Sequence, residues 1–433
     1  HYCYPRLGLS KSQCTKKNRL YAHQNDQGAI MKYIVVVPDG MADYPIAELH
    51  DKTPLEHAKT PNMDRLAKQG MIGFVQTIPP GLPPGSDVGN LSAMGYDPRK
   101  SFSGRAPLEA ANMNITLTPD EVAFRCNLVT IQDEKMLDYS AGHITTQEAA
   151  LLIDTLNQNN ERSNIKFFAG KSYRHLMVMK SRDTKKLAAI SCTPPHDITG
   201  KTIHSFLPQG DQAKTLLDLM TWSKNILKDH PVNESRINSQ NNPATMIWLW
   251  GQGQKPELPL FKEKFGLSGS VISAVDLVNG IGKLAGLHVI SVPGVTGYYD
   301  TNYKGKAQYA LDSLKENDFV FVHIEAPDEA SHNGDLKMKI ESLEKIDKEV
   351  IETIINYQEN TKDCRILILP DHRTPVKKQT HTSEAVCFVM AGTHIPTQGF
   401  STFSEKTAEE SKVFFNSGEE LMTYFIKENL PTT

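Results

Sequence analysis

The stretch Arg365 to Thr382, RILILPDHRTPVKKQTHT, constrains the fold of this chain more than any other. Its apolar run, Ile366 to Leu369, carries β-branched residues and is too short for a helix, so it predicts a buried strand. Pro370 ends the run. Asp371 and His372 then stand at the strand's C-terminal end, with His381 on the following loop. In open α/β sheets ligands bind at the carboxyl ends of the strands. A carboxylate and two imidazoles in such a place have the chemistry of metal ligands. A surface loop carrying two histidines would read the same way on this stretch alone, so the rest of the chain must decide.

Two other strand ends repeat the pattern. Tyr33 to Val37 predicts the first strand, closed by Pro38-Asp39-Gly40. Taken alone, that tripeptide is better explained by an ordinary turn aspartate. Phe319 to Ile324 predicts a later strand, followed by HIEAPDEASH at 323–332. Asp328 and His332 are four residues apart and share a face of one helical turn.

Between these lies PPGLPPGSDVGNLSAMG, residues 79–95. Its Gly and Pro clusters keep the backbone extended as far as Gly85-Ser86-Asp87, and a helical pattern follows from Val88. Ser86 therefore falls at a helix N-terminus, where free N–H groups favour an anion. A plain N-cap serine is the alternative. The nucleophile elbow G-x-S-x-G is absent, because Pro84 and Val88 flank the serine where it needs glycines. Upstream, Thr60 is expected to cap a helix that Pro61 opens and Gly70 stops.

From about residue 119 the character changes. Strand-like runs at 123–131 and 167–179 alternate with helices and polar loops, and residues 232–243 read as a loop. Arg125, Arg174 and His175 lie in or beside these strands; taken singly, each reads as surface charge before ligand contact. A second alternation begins near Ser268, with a strand expected at Val289–Val292, a helix at Gly305–Asn317 and a long helix from about Leu336. In the last, Leu336, Ile340, Leu343, Ile346, Val350 and Ile354 recur at helical spacing, as core residues do.

The length of 433 residues allows two or three domains. A formal net charge of −3 gives no reason to expect nucleic acid or an acidic membrane as a partner. No apolar run approaches the roughly 20 residues of a membrane span. The six cysteines form no C-x-x-C pair, which suits reduced thiols in the cytoplasm. Residues 1–30 stand apart, with five Lys or Arg against the single acid Asp26. Met31 is the expected start of the folded unit. Composition leaves the leader open as a targeting segment, a disordered tail or an artefact of gene prediction.

Parallel strands of an α/β sheet bring their C-terminal ends to one edge. That would gather Asp39, Asp328, His332, Asp371, His372 and His381, with Ser86 arriving on its loop. The set exceeds the three or four ligands of one zinc site. Two ions about 4 Å apart would use them all. Mixed carboxylate and imidazole donors suit Mn²⁺ or Zn²⁺, and Mg²⁺ less well. A serine beside two metals can be deprotonated as a nucleophile, and a phosphate ester is the natural substrate.

In order along the chain, PDGMAD (38–43), PGSDVGNLSAMGYDP (84–98), SGRAPLEA (103–110), AFRCNLVT (123–130), SYRHLMV (172–178) and the two metal stretches resemble the cofactor-independent phosphoglycerate mutases of the archaeal type. That family belongs to the alkaline phosphatase superfamily. The resemblance runs from Met31 nearly to the C-terminus; Gly89 and Cys387 depart from the pattern at positions that are not ligands. It implies an isomerase that interconverts 3-phosphoglycerate and 2-phosphoglycerate in glycolysis through a phosphoserine at Ser86, without 2,3-bisphosphoglycerate. It implies one divalent metal on Asp39, Ser86, Asp371 and His372 and another on Asp328, His332 and His381, with Mn²⁺ first and Mg²⁺, Co²⁺ or Zn²⁺ as alternatives. Arg174, His175, Arg125, Arg105 and Lys304 would hold phosphate and carboxylate. The implied fold is α/β: an alkaline-phosphatase-like, mostly parallel sheet flanked by helices, with a smaller α/β domain inserted. The expected division is a leader at 1–30, the metal domain at 31–118 and 268–433, and a substrate-binding lid at 119–267. Readings that share this metal core are a homoserine-kinase-like or phosphatase relative. A non-catalytic scaffold is the reading from another class.

Overall fold

The computed structural model describes residues 31–361 and 363–427. The leader read at 1–30 lies outside the described residues. In chain order the strands are β1 (Lys32–Pro38), β2 (Met71–Val75), β3 (Glu121–Gln132), β4 (Lys135–Asp138), β5 (Ile165–Lys171), β6 (Arg174–Lys180), β7 (Met246–Gln254), β8 (Gly269–Ile272), β9 (His288–Val289), β10 (Phe319–Ile324), β11 (Cys364–Ile368), β12 (Val386–Gly392) and β13 (Phe414–Phe415).

They form two sheets. The larger has the order β13-β2-β12-β11-β1-β10-β8-β9. Its pairings are parallel except those of β11 with β12 and β12 with β2. Its central strands are mostly apolar because both faces are covered by helices. In β1, Ile34 and Val36 join one core cluster, while Tyr33, Val35 and Val37 join another on the opposite face. The fold is thus α/β with a mostly parallel sheet between helical layers.

The smaller sheet takes all its strands from Glu121 to Gln254 and is antiparallel. Here β3 is the spine, pairing with β6, with β7 and, near its C-terminal end, with β4. Alternation along β3 sends Val122, Phe124, Cys126 and Leu128 into this unit's own core. Ala123 and Arg125 point to the opposite face.

Several local expectations are corrected. The run 167–179 is two strands, β5 and β6, with Ser172 at the turn in a left-handed conformation. Residues 232–243 begin as a helix, Pro231–Asn238. The polar sequence hides its buried hydrogen bonds: Asn233 donates to the carbonyls of Leu227 and Ala244, and Arg236 to that of Asn242. Thr60 makes no side-chain cap. The strand expected at Val289–Val292 shrinks to His288–Val289. The long helix from Leu336 contains a π-helical turn at Ile346–Ile351, and its apolar face still packs into the core. The described cysteines, Cys126, Cys192, Cys364 and Cys387, are unbridged thiols.

Candidate active site

Three neighbouring parallel strands, β11, β1 and β10, end side by side. Their registers pair Val36 with Ile368 and Val37 with His323. Asp39 follows β1, Glu325 follows β10, and Asp371 and His372 follow β11, so the sheet's hydrogen bonding places four functional groups on one edge. Gly40 makes the turn after Asp39 with φ +61°. A Cβ there would also come within 2.6 Å of both Asp328 Oδ1 and Thr374 Oγ1. Glycine is required twice, by conformation and by space.

Asp39, Asp371 and His372 are fully buried. His372 Nε2 lies 3.5 Å from Asp39 Oδ1, 3.3 Å from Asp371 Oδ2 and 3.2 Å from Ser86 Oγ. Ser86 Oγ is also 3.5 Å from Asp39 Oδ2. Ser86 is the first residue of the helix Ser86–Ala93. Asn90, one turn on, ties that helix down by donating to the Ser86 carbonyl at 2.9 Å and to Asp371 Oδ2 at 2.8 Å. A Cβ on residue 89 would lie 2.6 Å from the Asp371 carbonyl oxygen. The unexpected glycine at 89 lets the serine helix seat directly on the Asp371 backbone.

The second group meets on the helix Ala326–His332. His332 Nε2 is 3.1 Å from Asp328 Oδ2 and 2.9 Å from His381 Nε2, while His381 Nε2 is 3.6 Å from Asp328 Oδ1. Thr374 Oγ1 donates to Asp328 Oδ1 at 2.5 Å. The His372 and His381 rings approach to 4.1 Å, so the two groups adjoin.

The electrostatics suit cations. Burial and the Asp371 charge push the Asp39 carboxyl well above its ordinary range. Burial would also raise Asp328, but hydrogen bonds from His332 and His381 outweigh it and hold that carboxyl well below. The Asp328 partner pushes His332 up to about 9. Asp39 Oδ1 and Glu325 Oε2 are buried with no hydrogen-bond partner. Two imidazole nitrogens facing each other across a carboxylate, with orphaned carboxylate oxygens beside them, are a donor set that fits divalent metal. Three ligand clusters meet the distances for sharing an ion: Asp328, His372 and His381; Asp39, His323 and Asp371; and Asp39, Glu325 and Asp328. His372 stands between the two groups and faces both.

In front of these residues opens a cavity of about 700 Å³, a size that suits a small organic substrate. Ser86, Glu325, Asp328, His332 and His381 line it from the larger sheet. Arg125, Arg174 and His175 line it from the smaller one, with Arg105 between. Asp87 accepts from Arg105 Nε at 2.8 Å. Glu109 grips Arg125 with both oxygens, each at 3.1 Å, and the guanidinium lies 4.1 Å over the Trp250 ring. Burial pulls His175 down to about 4; its Nδ1 accepts the Gly170 N–H. Lys304 is exposed and does not line the cavity.

The sequence reading did not single out His323, Glu325, Glu109 or Asn90. His323 and Glu325 bracket the end of β10, inside a stretch already singled out for Asp328, but a histidine in FVFVHI reads as strand core.

A family model described as 2,3-bisphosphoglycerate-independent phosphoglycerate mutase matches residues 67–233. A protein of that name from Methanosarcina mazei is 46% identical over 92% of this chain and 100% of its own length. One from Geobacter sulfurreducens, named as a probable member, is also 46% identical, over 90% of this chain and 98% of its own. Among solved structures, a Pyrococcus horikoshii protein superposes with a TM-score of 0.77 at 28% identity, covering 92% of this chain and 97% of its own. A cofactor-independent phosphoglycerate mutase from Thermoplasma acidophilum gives 0.65 at 25% identity, over 92% and 99%.

Proposed function

This chain belongs to the family of 2,3-bisphosphoglycerate-independent phosphoglycerate mutases, isomerases of 3-phosphoglycerate and 2-phosphoglycerate, and on that premise we propose that it works through a phosphoserine at Ser86. The observation that carries this reading is the place of Ser86: first in its helix, lining the cavity, with Oγ within 3.5 Å of both Asp39 and His372. Asp39, Ser86, Asp371 and His372 would hold one divalent cation, and Asp328, His332 and His381 another, Mn²⁺ being the best match to the donors. Such cations, when bound, lower the pKa of a hydroxyl and neutralise charge on phosphoryl oxygens.

Ser86 Oγ gives up its proton and attacks phosphorus, the bond from phosphorus to the glycerate oxygen breaks, and that oxygen takes up a proton. Arg174, whose guanidinium can bind carboxylate or phosphate by two N–H groups at once, would keep the glycerate in the cavity, and Arg125 would add the terminal nitrogen that Glu109 leaves open. Arg105 and His175 would complete that wall, His175 as a neutral group. The glycerate turns, its other hydroxyl gives up its proton and attacks phosphorus, the bond from phosphorus to Ser86 Oγ breaks, and Oγ takes up a proton again.

Residues 119–267, including the smaller sheet, would act as a lid, because a phosphoserine open to water is hydrolysed. A second organic phosphate is not needed on this route, since Ser86 stores the group. Among the described residues no helix is long and apolar enough to cross a membrane. The unbridged thiols of the described cysteines support a cytoplasmic location.

Ser86→Ala tests the mechanism. Metal binding should survive, perturbed at one ion at most, while mutase turnover falls by far more than the roughly 10²–10³-fold typical of one electrostatic donor. Mass spectrometry of wild type quenched with substrate should find phosphate on Ser86. Near-normal turnover by the variant would end the phosphoserine mechanism, and steady release of free phosphate by wild type would make the enzyme a phosphatase.

A further inference from the structure

His323 and Ser273 have no part in the function argued above, yet they form a continuous polar chain to its centre. His323 lies in β10 and is fully buried. Its Nε2 is 2.9 Å from Asp39 Oδ2, and its Nδ1 is 3.1 Å from Ser273 Oγ. Ser273 Oγ already accepts the Val275 N–H at 3.0 Å, which orients it and leaves its own proton to donate. The buried Lys306 ammonium donates to the His323 carbonyl at 2.7 Å and fixes the strand at this residue.

The chemistry of the partners sets the tautomer. An aspartate that ligates a cation is ionised and can only accept. The single proton of a neutral imidazole beside it therefore sits on Nε2, and Nδ1 accepts from Ser273. An Nε2 that carries hydrogen has no lone pair to offer a metal, and Nδ1 is turned to Ser273. Asp39 is then held by one oxygen, Oδ2. Its other oxygen, Oδ1, has no hydrogen-bond partner and stands 3.5 Å from His372 Nε2.

We propose that His323 is a positioning residue: through the chain Ser273–His323–Asp39 it clamps Oδ2 and so presents Oδ1 to the cation shared with Asp371 and His372, without being a ligand itself. The distances alone would allow the opposite, because His323 clusters with Asp39 and Asp371 as a possible ion-sharing group. Hydrogen-bonded partners of ligands commonly govern affinity in this way. The inference rests on the two-cation reading above.

The test is calorimetric titration of metal-stripped protein with Mn²⁺, with thermal melting as a check on folding. His323→Phe keeps a ring but no N–H. It should bind one of two Mn²⁺ about 10–100-fold more weakly and the other as wild type does. The KM for phosphoglycerate should stay within about twofold, since no substrate contact is lost. His323→Gln keeps a donor of similar reach and should recover most of the affinity. Ser273→Ala touches no ligand and should weaken the same site by a smaller factor. Should His323→Phe fail to fold, Ser273→Ala and the imidazole ¹⁵N shifts of Zn²⁺-loaded wild type decide, the expected state being Nε2 protonated and Nδ1 bare.

His323→Gln as damaging as His323→Phe, or an unprotonated Nε2 in the loaded enzyme, would make His323 a ligand and overturn the proposal. So would a folded His323→Phe with two undiminished sites, or Ser273→Ala with wild-type affinity. A wild type that takes up no divalent cation would remove the two-cation reading and this inference together; the variant results remove the inference alone.

Discussion

Arg125 is buried, so its charge needs partners, and it has two: the Glu109 carboxylate and the face of Trp250. Glu109 occupies Nε and one terminal nitrogen, which leaves the other terminal nitrogen for a substrate oxygen. Lysine could not serve both, because an ammonium is a point charge without the guanidinium fork. Arg125→Lys should therefore raise KM for phosphoglycerate by roughly 10–100-fold, the equivalent of one charged hydrogen bond at about 1.5–3 kcal/mol. Steady-state kinetics would check it. A KM within threefold of wild type would mean that Arg125 serves only to neutralise Glu109.

At this scale the sequence was readable where chemistry and strand ends coincide. Asp39, Asp371 and His372 each follow an apolar run, and Asp328 and His332 share one helical turn, so their convergence is legible in the sequence. The lysine at the C-terminal half was harder. In the helix Tyr303–Ser313 the buried face is Tyr303, Lys306, Ala307 and Ala310. Lys304 is off that face and Lys306 is on it, and a lysine within an apolar helical stripe is easily passed over. His323 was hidden for the same reason: burial made a polar residue look like part of the core pattern.

Among the elements, β6 carries a pH-sensitive position. His175 is buried neutral, with its pKa pulled down to about 4 by burial. An unfolded imidazole takes up its proton near pH 6.5, while the folded one stays bare until about 4. Stability from this residue is thus full above pH 6.5 and is lost as the pH falls toward 4. Between pH 7 and pH 5 the loss is about 2 kcal/mol. Urea unfolding of wild type and His175→Gln at the two pH values should show wild type losing about that much more than the variant. Equal losses would mean that His175 is charged in the folded protein. Element type was legible in the strongly periodic segments. It failed at the helix Pro231–Asn238, where the stabilising contacts are side-chain amide and guanidinium bonds to backbone carbonyls rather than an apolar stripe.

For the whole molecule, the cavity is walled by both sheets, so a bound substrate would touch the serine on one side and arginines on the other. If residues 119–267 close as a lid, small-angle scattering with Mn²⁺ and phosphoglycerate should give a smaller radius of gyration than the metal-loaded protein alone. An unchanged radius would require water to be kept from the phosphoserine by fixed walls.

The strand order has a consequence for biosynthesis. β1 is paired in the finished sheet with β10 and β11, which are synthesised long after it. The smaller sheet is contiguous in sequence, so its partners are all in hand much sooner. At about 5–20 residues per second, the interval between synthesis of Asp39 and of His381 is on the order of 20–70 s. Through that interval the growing chain contains a would-be nucleophile and the first of its ligands but cannot assemble the centre. The chemistry is withheld until β11 and the loop after it have been made, and chains abandoned before β11 lack Asp371, His372 and His381.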